Sequence, residues 1–192
     1  VRVETAAWHH QVEAVADLPN SVHTRGEYVA LLSRLYELHS SLERELAAPR
    51  FHDAWRSVGV DISAHRRAHR LEADLMVLGA TMPTGSREST PLATFGHALG
   101  SLYVLEGSSL GGPTVARIVR ATLGDVPTTF LTGEGRSRPP PWLAVCAAMA
   151  CFDARGGDGD AVVSGACDSF AAFADHVGRA GPSRTAGTVA AT

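Results

Sequence analysis

Lysine is absent from this 192-residue chain, whose 17 positive charges are all arginine. A site that binds a carboxylate must therefore use the planar, permanently charged guanidinium. Aromatic residues are sparse, at 6%. Cysteine is limited to Cys146, Cys151 and Cys167, an odd number without metal-type spacing. That excludes a disulfide framework and predicts reduced core thiols in a cytoplasmic protein. Long apolar runs and a signal-peptide pattern are missing too, so nothing points to a membrane. A net charge of −3 leaves no electrostatic footprint for nucleic acid. No segment alternates as a strand does.

What the chain does have is helical periodicity. Its length and 45% apolar content suit one domain with a full core. Helices are predicted over Arg2–Ala16 and Arg25–Ala48, the second carrying a stripe of Tyr28, Leu31, Leu32, Leu35, Leu38, Leu42 and Leu46. Pro49 ends that stripe. A short helix over Phe51–Val58 and a longer one over Ile62–Leu78 follow, the latter closing at Gly79. After a loop at Thr81–Thr90, a glycine-interrupted helix runs from Pro91 to Leu123. Beyond the basic, proline-rich Arg136–Pro141 come helices over Trp142–Phe152 and Asp160–Val177, separated by Gly156–Gly159. The expected architecture is a single-domain all-α bundle over residues 1–177. The Gly/Ala/Thr-rich residues 178–192 are expected to form a disordered tail.

The stretch Tyr103-Val-Leu-Glu-Gly-Ser-Ser-Leu-Gly-Gly112 stands out. Each interior glycine costs a helix about 1 kcal/mol relative to alanine, so Gly107, Gly111 and Gly112 imply a use for the missing side chains. Gly107 and Gly111 share a small-xxx-small spacing, as do Gly96 and Gly100, which lets helices approach closely. The alternative is that something flat lies against the bare backbone. Spacing alone leaves the two equal. A phosphate-cradling loop is dismissed, because neither the preceding strand nor the lysine is there. Pro113 adds weight to a bend.

Two histidine arrangements carry possible chemistry. Arg2, Thr5, His9 and Glu13 recur at three and four residues and so lie on one helical face. A carboxylate one turn from an imidazole can fix its ring, as around metal-ligating histidines. A plain surface Glu–His pair has the same spacing and is the commoner case. His65 and His69 also lie one turn apart, but Arg66, Arg67 and Arg70 surround them and repel a metal ion, which favours a solvated basic face. His23, His39, His52, His97 and His176 have no constellation and read as structural.

Taken together, these segments resemble the heme oxygenases, most closely the bacterial phytochrome-associated kind. The resemblance is carried by Arg2, Thr5, His9 and Glu13, by Leu32–Glu43, by Arg70–Gly79, by Leu102–Gly112 and by Ser169–Val177, in that order and separation. It implies a heme oxygenase-type helical bundle over residues 1–177. Carried across, His9 is the proximal ligand of the heme iron and Glu13 orients its ring. Arg2 approaches a propionate and Thr5 stands on the same face. Gly107 and Gly111 lie over the other heme face, with Tyr103 lining the pocket. Gly107, Ser108 and Gly111 then form the catalytic wall, which offers no acid or base side chain.

The resemblance implies that heme is both cofactor and substrate. O2 and an external electron donor open it to biliverdin, releasing carbon monoxide and iron. It implies a ferredoxin-like or other reductase as donor and a phytochrome as biliverdin acceptor. Two departures stand out. Ser108 takes a position where many relatives have an aspartate, and the Trp142–Phe152 helix lacks the basic residues that grip propionates, leaving Arg136 or Arg138 to substitute. These favour, as the alternative, a non-catalytic heme carrier or sensor on the same fold. A thiamine-degrading enzyme of shared architecture ranks behind, since its nucleophilic cysteine needs an activating neighbour and the three here sit in apolar stretches.

Overall fold

A computed structural model describes residues 22–83, 91–133 and 141–177. The predicted helix over Arg2–Ala16 and the tail from Gly178 lie outside the described residues. Among those described, every regular element is helical and no strand forms. The helices are α1 (Arg25–Leu46), α2 (His52–Ser57), α3 (Ala68–Val77), α4 (Phe95–Ser108), α5 (Gly112–Leu123), α6 (Thr129–Thr132), α7 (Pro141–Ala154) and α8 (Gly159–Val177). One contiguous apolar core joins side chains from these elements into an all-α bundle.

Local chemistry explains the boundaries of α1. Thr24 and Glu27 form a reciprocal capping box: Thr24 Oγ1 accepts from Glu27 N at 3.2 Å, and Glu27 Oε2 accepts from Thr24 N at 2.9 Å. The apolar stripe faces the core as its period requires, with Leu42 alone only half-buried. At the other end, Trp55 Nε1 donates to the Leu46 carbonyl at 2.8 Å, satisfying one of the orphan acceptors there.

Helix α4 is the centre of the bundle, packing against α8, α7 and α1. Its buried residues run without a gap from Ala98 to Glu106, so it has no solvent face over that stretch. The α4–α8 crossing is close enough to exclude side chains. A Cβ at Gly100 would collide with the Val162 carbonyl oxygen, and one at Gly165 with the His97 carbonyl oxygen. At Gly96 it would lie 2.8 Å from the Ala161 Cβ. The Gly96/Gly100 spacing is thus used for helix packing.

Several sequence expectations are corrected. Helix α4 starts at Phe95, not Pro91, because Thr94 is the N-cap and its Oγ1 accepts from His97 N at 3.2 Å. The expected Ile62–Leu78 helix is a 3₁₀ turn at Ile62–His65 followed by α3, with Arg66 extended between them. Gly79 (φ 70°) stops the chain beyond α3 as expected. Helix α6 was not anticipated. Its two leading amides bond Asp74, with Thr129 N to Oδ1 at 3.1 Å and Phe130 N to Oδ2 at 2.9 Å. The thiols are not uniformly core: Cys146 is exposed, Cys151 and Cys167 half-buried. Cys151 packs against the core edge, its Sγ 4.0 Å from the Ser57 carbonyl oxygen.

Tyr28 ties the connection before α6 to α1, its hydroxyl donating to the Pro127 carbonyl at 2.9 Å. Burial raises this phenol well above its ordinary value, and Asp74 adds to the rise while Arg120 opposes it. The folded state therefore holds the proton more tightly than the unfolded chain. That stabilisation is complete below the unfolded pKa of about 10 and fades as pH rises through the folded value. Urea titrations across the alkaline range should show stability falling from about pH 10 upward, with a shallower fall in Tyr28→Phe; equal slopes would refute the linkage. At the crossing, Gly100→Ala and Gly165→Ala should each cost about 3 kcal/mol through overpacking against backbone, and a parental urea midpoint would contradict that packing.

Candidate functional site

The glycine-interrupted segment is where the predicted site residues can be placed. Helix α4 gives way to a 3₁₀ turn at Ser109–Gly111, and α5 begins at Gly112. Pro113 causes the break. It has no N–H to offer the Ser109 carbonyl one turn back. That carbonyl instead accepts from Gly112 N, one residue earlier, which is the 3₁₀ pattern. Two hydroxyls serve neighbouring carbonyls: Ser108 Oγ donates to Leu105 O at 2.8 Å and Ser109 Oγ to Glu106 O at 2.6 Å. The Ser108 proton is thus engaged within its own helix, while its oxygen lone pairs can still accept.

The three glycines of this segment have different surroundings. A Cβ at Gly112 would collide with the Leu131 carbonyl oxygen, so that residue is needed for α5 to approach α6. A Cβ at Gly107 would meet only the Trp142 ring, 3.3 Å from Cζ3 and 3.8 Å from Cη2. At Gly111 it would meet nothing within 4 Å. Helix packing therefore accounts for Gly112 and leaves Gly107 and Gly111 without a backbone neighbour that requires them.

Tyr103 lies one turn before Gly107 on α4 and is buried, its ring centroid 5.0 Å from that of Trp142 at an interplanar angle of 47°. The structure thus brings together Tyr103, Gly107 and Trp142, with Ser108 and Gly111 following along the chain. Arg2, Thr5, His9 and Glu13 lie outside the described residues, as do Arg136 and Arg138. Sequence reading missed Trp142. Its one local signal is an aromatic residue in the first turn of a helix just after the basic, proline-rich connection.

Next to Gly107 in the chain begins a buried ionic cluster that sequence reading also missed. Glu106, 1% exposed, is the residue before Gly107. Its Oε1 lies 2.9 Å from His65 Nδ1, and its Oε2 accepts from Arg67 Nη2 at 2.7 Å. The expectation of a solvated basic face at His65 is corrected: His65 is buried and Arg67 nearly so, while Arg66 and His69 are exposed as expected. Burial pulls the Arg67 guanidinium below its ordinary value, and Glu106 opposes that pull.

A second buried carboxylate completes the cluster. Glu43 Oε1 on α1 accepts from Arg67 N at 2.8 Å and Ala68 N at 2.9 Å, capping α3, which has no side-chain cap of its own. His39 Nδ1 lies 3.5 Å from the same oxygen, and its ring meets Phe130 and Phe173 edge-on. His39 Nε2 is buried without a partner. His39 and His65 are structural, as parts of this cluster. Arg67 joins the two halves, its backbone bonded to Glu43 and its side chain to Glu106.

Among the described residues, no group of three or more His, Cys, Asp and Glu is arranged to hold a metal ion. A site built on one axial histidine would not form such a group. No helix among them is long and apolar enough to cross a membrane.

Comparison with known proteins gives a partial likeness. The chain is 34% identical over 95 residues to the protein named heme oxygenase from Xanthomonas campestris pv. campestris (strain 8004), covering 48% of this chain and 53% of that protein. It therefore spans about half the length of the relative it matches. No protein-family model matches the chain.

The cluster predicts a coupled loss of stability. Removing one partner of a buried charge pair strands the other, so Glu106→Gln and Arg67→Met should each cost about 3 kcal/mol or more. The double variant should cost clearly less than their sum; additive losses in chemical denaturation would show that the two do not act as a pair.

Proposed function

We propose that this chain is a heme oxygenase that opens heme to biliverdin and releases carbon monoxide and iron. The observation that carries the reading is the Gly107–Gly111 segment. No backbone neighbour requires a glycine at either residue: Gly107 faces only the Trp142 ring, and at Gly111 the space is open. A flat, apolar ligand needs such a surface. The partial identity to a protein named heme oxygenase supports the same chemistry.

In this reading His9 binds the iron through a neutral imidazole, and Glu13 holds the ring's other N–H. Bound heme supplies the iron at which O2 and electrons from a ferredoxin-like or other reductase react, and it is itself the substrate. Arg2 pairs with a propionate, Thr5 shares the face of His9, and Tyr103 lines the pocket. Gly107 and Gly111 leave the opposite wall without an acid or base. Ser108 can hold water through its free lone pairs, its proton being engaged with Leu105 O. The biliverdin released suits a phytochrome as acceptor.

That engaged proton also favours a second reading, a heme carrier or sensor without turnover. A hydroxyl already donating within its helix is a weaker organiser of proton delivery than a carboxylate.

Hemin titration should show one-to-one binding with a sharp Soret band. Ascorbate or a reductase in air should then convert the complex to a bile pigment. His9→Ala should lose the axial-histidine spectrum, and a variant that kept it would remove His9 from the iron. A complex that is reduced and binds oxygen yet never gives pigment would establish the carrier reading instead.

A further inference from the structure

The face running from Tyr103 to Gly111 is not uniformly open. Tyr103 is buried against Trp142, Gly107 lies under the benzo edge of the same indole, and Gly111 is bare. The indole therefore bounds the open surface at one end. Its own backbone is well anchored, because Val145 and Ala148, one and two turns along α7, are both fully buried. The ring itself is only half-buried. It is held by contacts with Tyr103 and Gly107 rather than by enclosure. At the bare end, Leu110 is 62% exposed, and Leu143, beside Trp142 in sequence, is 55% exposed.

A planar ligand laid on this backbone can slide or rotate in its plane unless a side wall stops it. Glycines restrain its height above the helix and nothing else. In the reading above His9 holds the ring's centre and Arg2 one propionate, yet α7 offers no arginine for a second anchor against rotation. Trp142 is the large, rigid group standing at the edge of the glycine surface.

We infer that Trp142 is a specificity-determining residue: its indole edge over Gly107 is the wall that fixes the in-plane seating of a flat tetrapyrrole on the bare backbone towards Gly111. This rests on the heme reading above. The indole sets where the macrocycle stops, and the anchored first turn of α7 keeps that limit constant. A purely structural Trp142 would affect stability without selecting one orientation of the ligand.

The test is proton NMR of the cyanide complex of hemin-loaded protein, where each in-plane seating gives its own set of shifted heme-methyl resonances. The parent should show one dominant set. In Trp142→Ala the minor-to-major ratio should rise about fivefold, the order expected for losing one aromatic contact. Trp142→Phe, which keeps the contact with Tyr103 but reaches less far over Gly107, should change the ratio in the same direction by less. It carries the test if the alanine variant does not fold. An unchanged ratio in a folded variant overturns the inference, even if its denaturation midpoint falls. Parent protein that seats hemin in one orientation but makes no pigment defeats only the turnover reading. Parent protein that binds no hemin defeats both.

Discussion

A carboxylate cannot be taken into the middle of a helical bundle unless its charge is met there. Glu106 is met by Arg67 and His65, which arrive from a different part of the chain. That requirement organises much of the molecule. Arg67 is held in place because Glu43 of α1 captures its backbone amide, so one arginine joins α1, α3 and α4. Glu106 is also the last residue before Gly107. The rotation of the final turn of α4, and hence the side on which its glycines present bare backbone, is fixed by that pairing. Buried ion pairs contribute little net stability compared with apolar packing. Their worth here is in the single arrangement they permit.

The glycines of α4 and α5 fall into two groups with different causes. Gly96 and Gly100, with Gly165 opposite, remove side chains where α4 and α8 cross. Gly112 does the same where α5 meets α6. Gly107 and Gly111 have no such backbone neighbour, and the helix between them is turned by Pro113. The same residue type thus builds the scaffold at one end of α4, meets only an indole at the other, and leaves open space at Gly111 just beyond it. Sequence spacing alone could not separate these uses, since Gly96/Gly100 and Gly107/Gly111 share one interval.

Local periodicity made most of the bundle legible. The α1 stripe, the close of α3 at Gly79 and the spans of α7 and α8 follow from apolar residues recurring at helical intervals and from the breakers that flank them. Where the sequence reading failed, the cause lies far along the chain. Helix α6 is too short to show a period and exists through Asp74, some fifty residues earlier. His65 sits among arginines and reads as solvated, because its partner on α4 is not a sequence neighbour. Trp142 reaches Gly107 from another helix, and no spacing rule encodes that approach. Of the candidate site, Tyr103, Gly107, Ser108 and Gly111 come from one motif, and their roles rest on the proposed function.

The caps of α3 and α6 have a consequence for how the protein unfolds. Neither helix ends in its own side-chain cap; Glu43 on α1 serves the first and Asp74 on α3 the second. A helix whose first amides are satisfied only by a distant neighbour has little existence apart from that neighbour. Loss of α1 therefore exposes the start of α3, and loss of α3 exposes the start of α6. The elements stand in series rather than in parallel. Partial melting offers few resting places along that series, so the bundle is wired for cooperative, all-or-none behaviour despite the shortness of several of its helices.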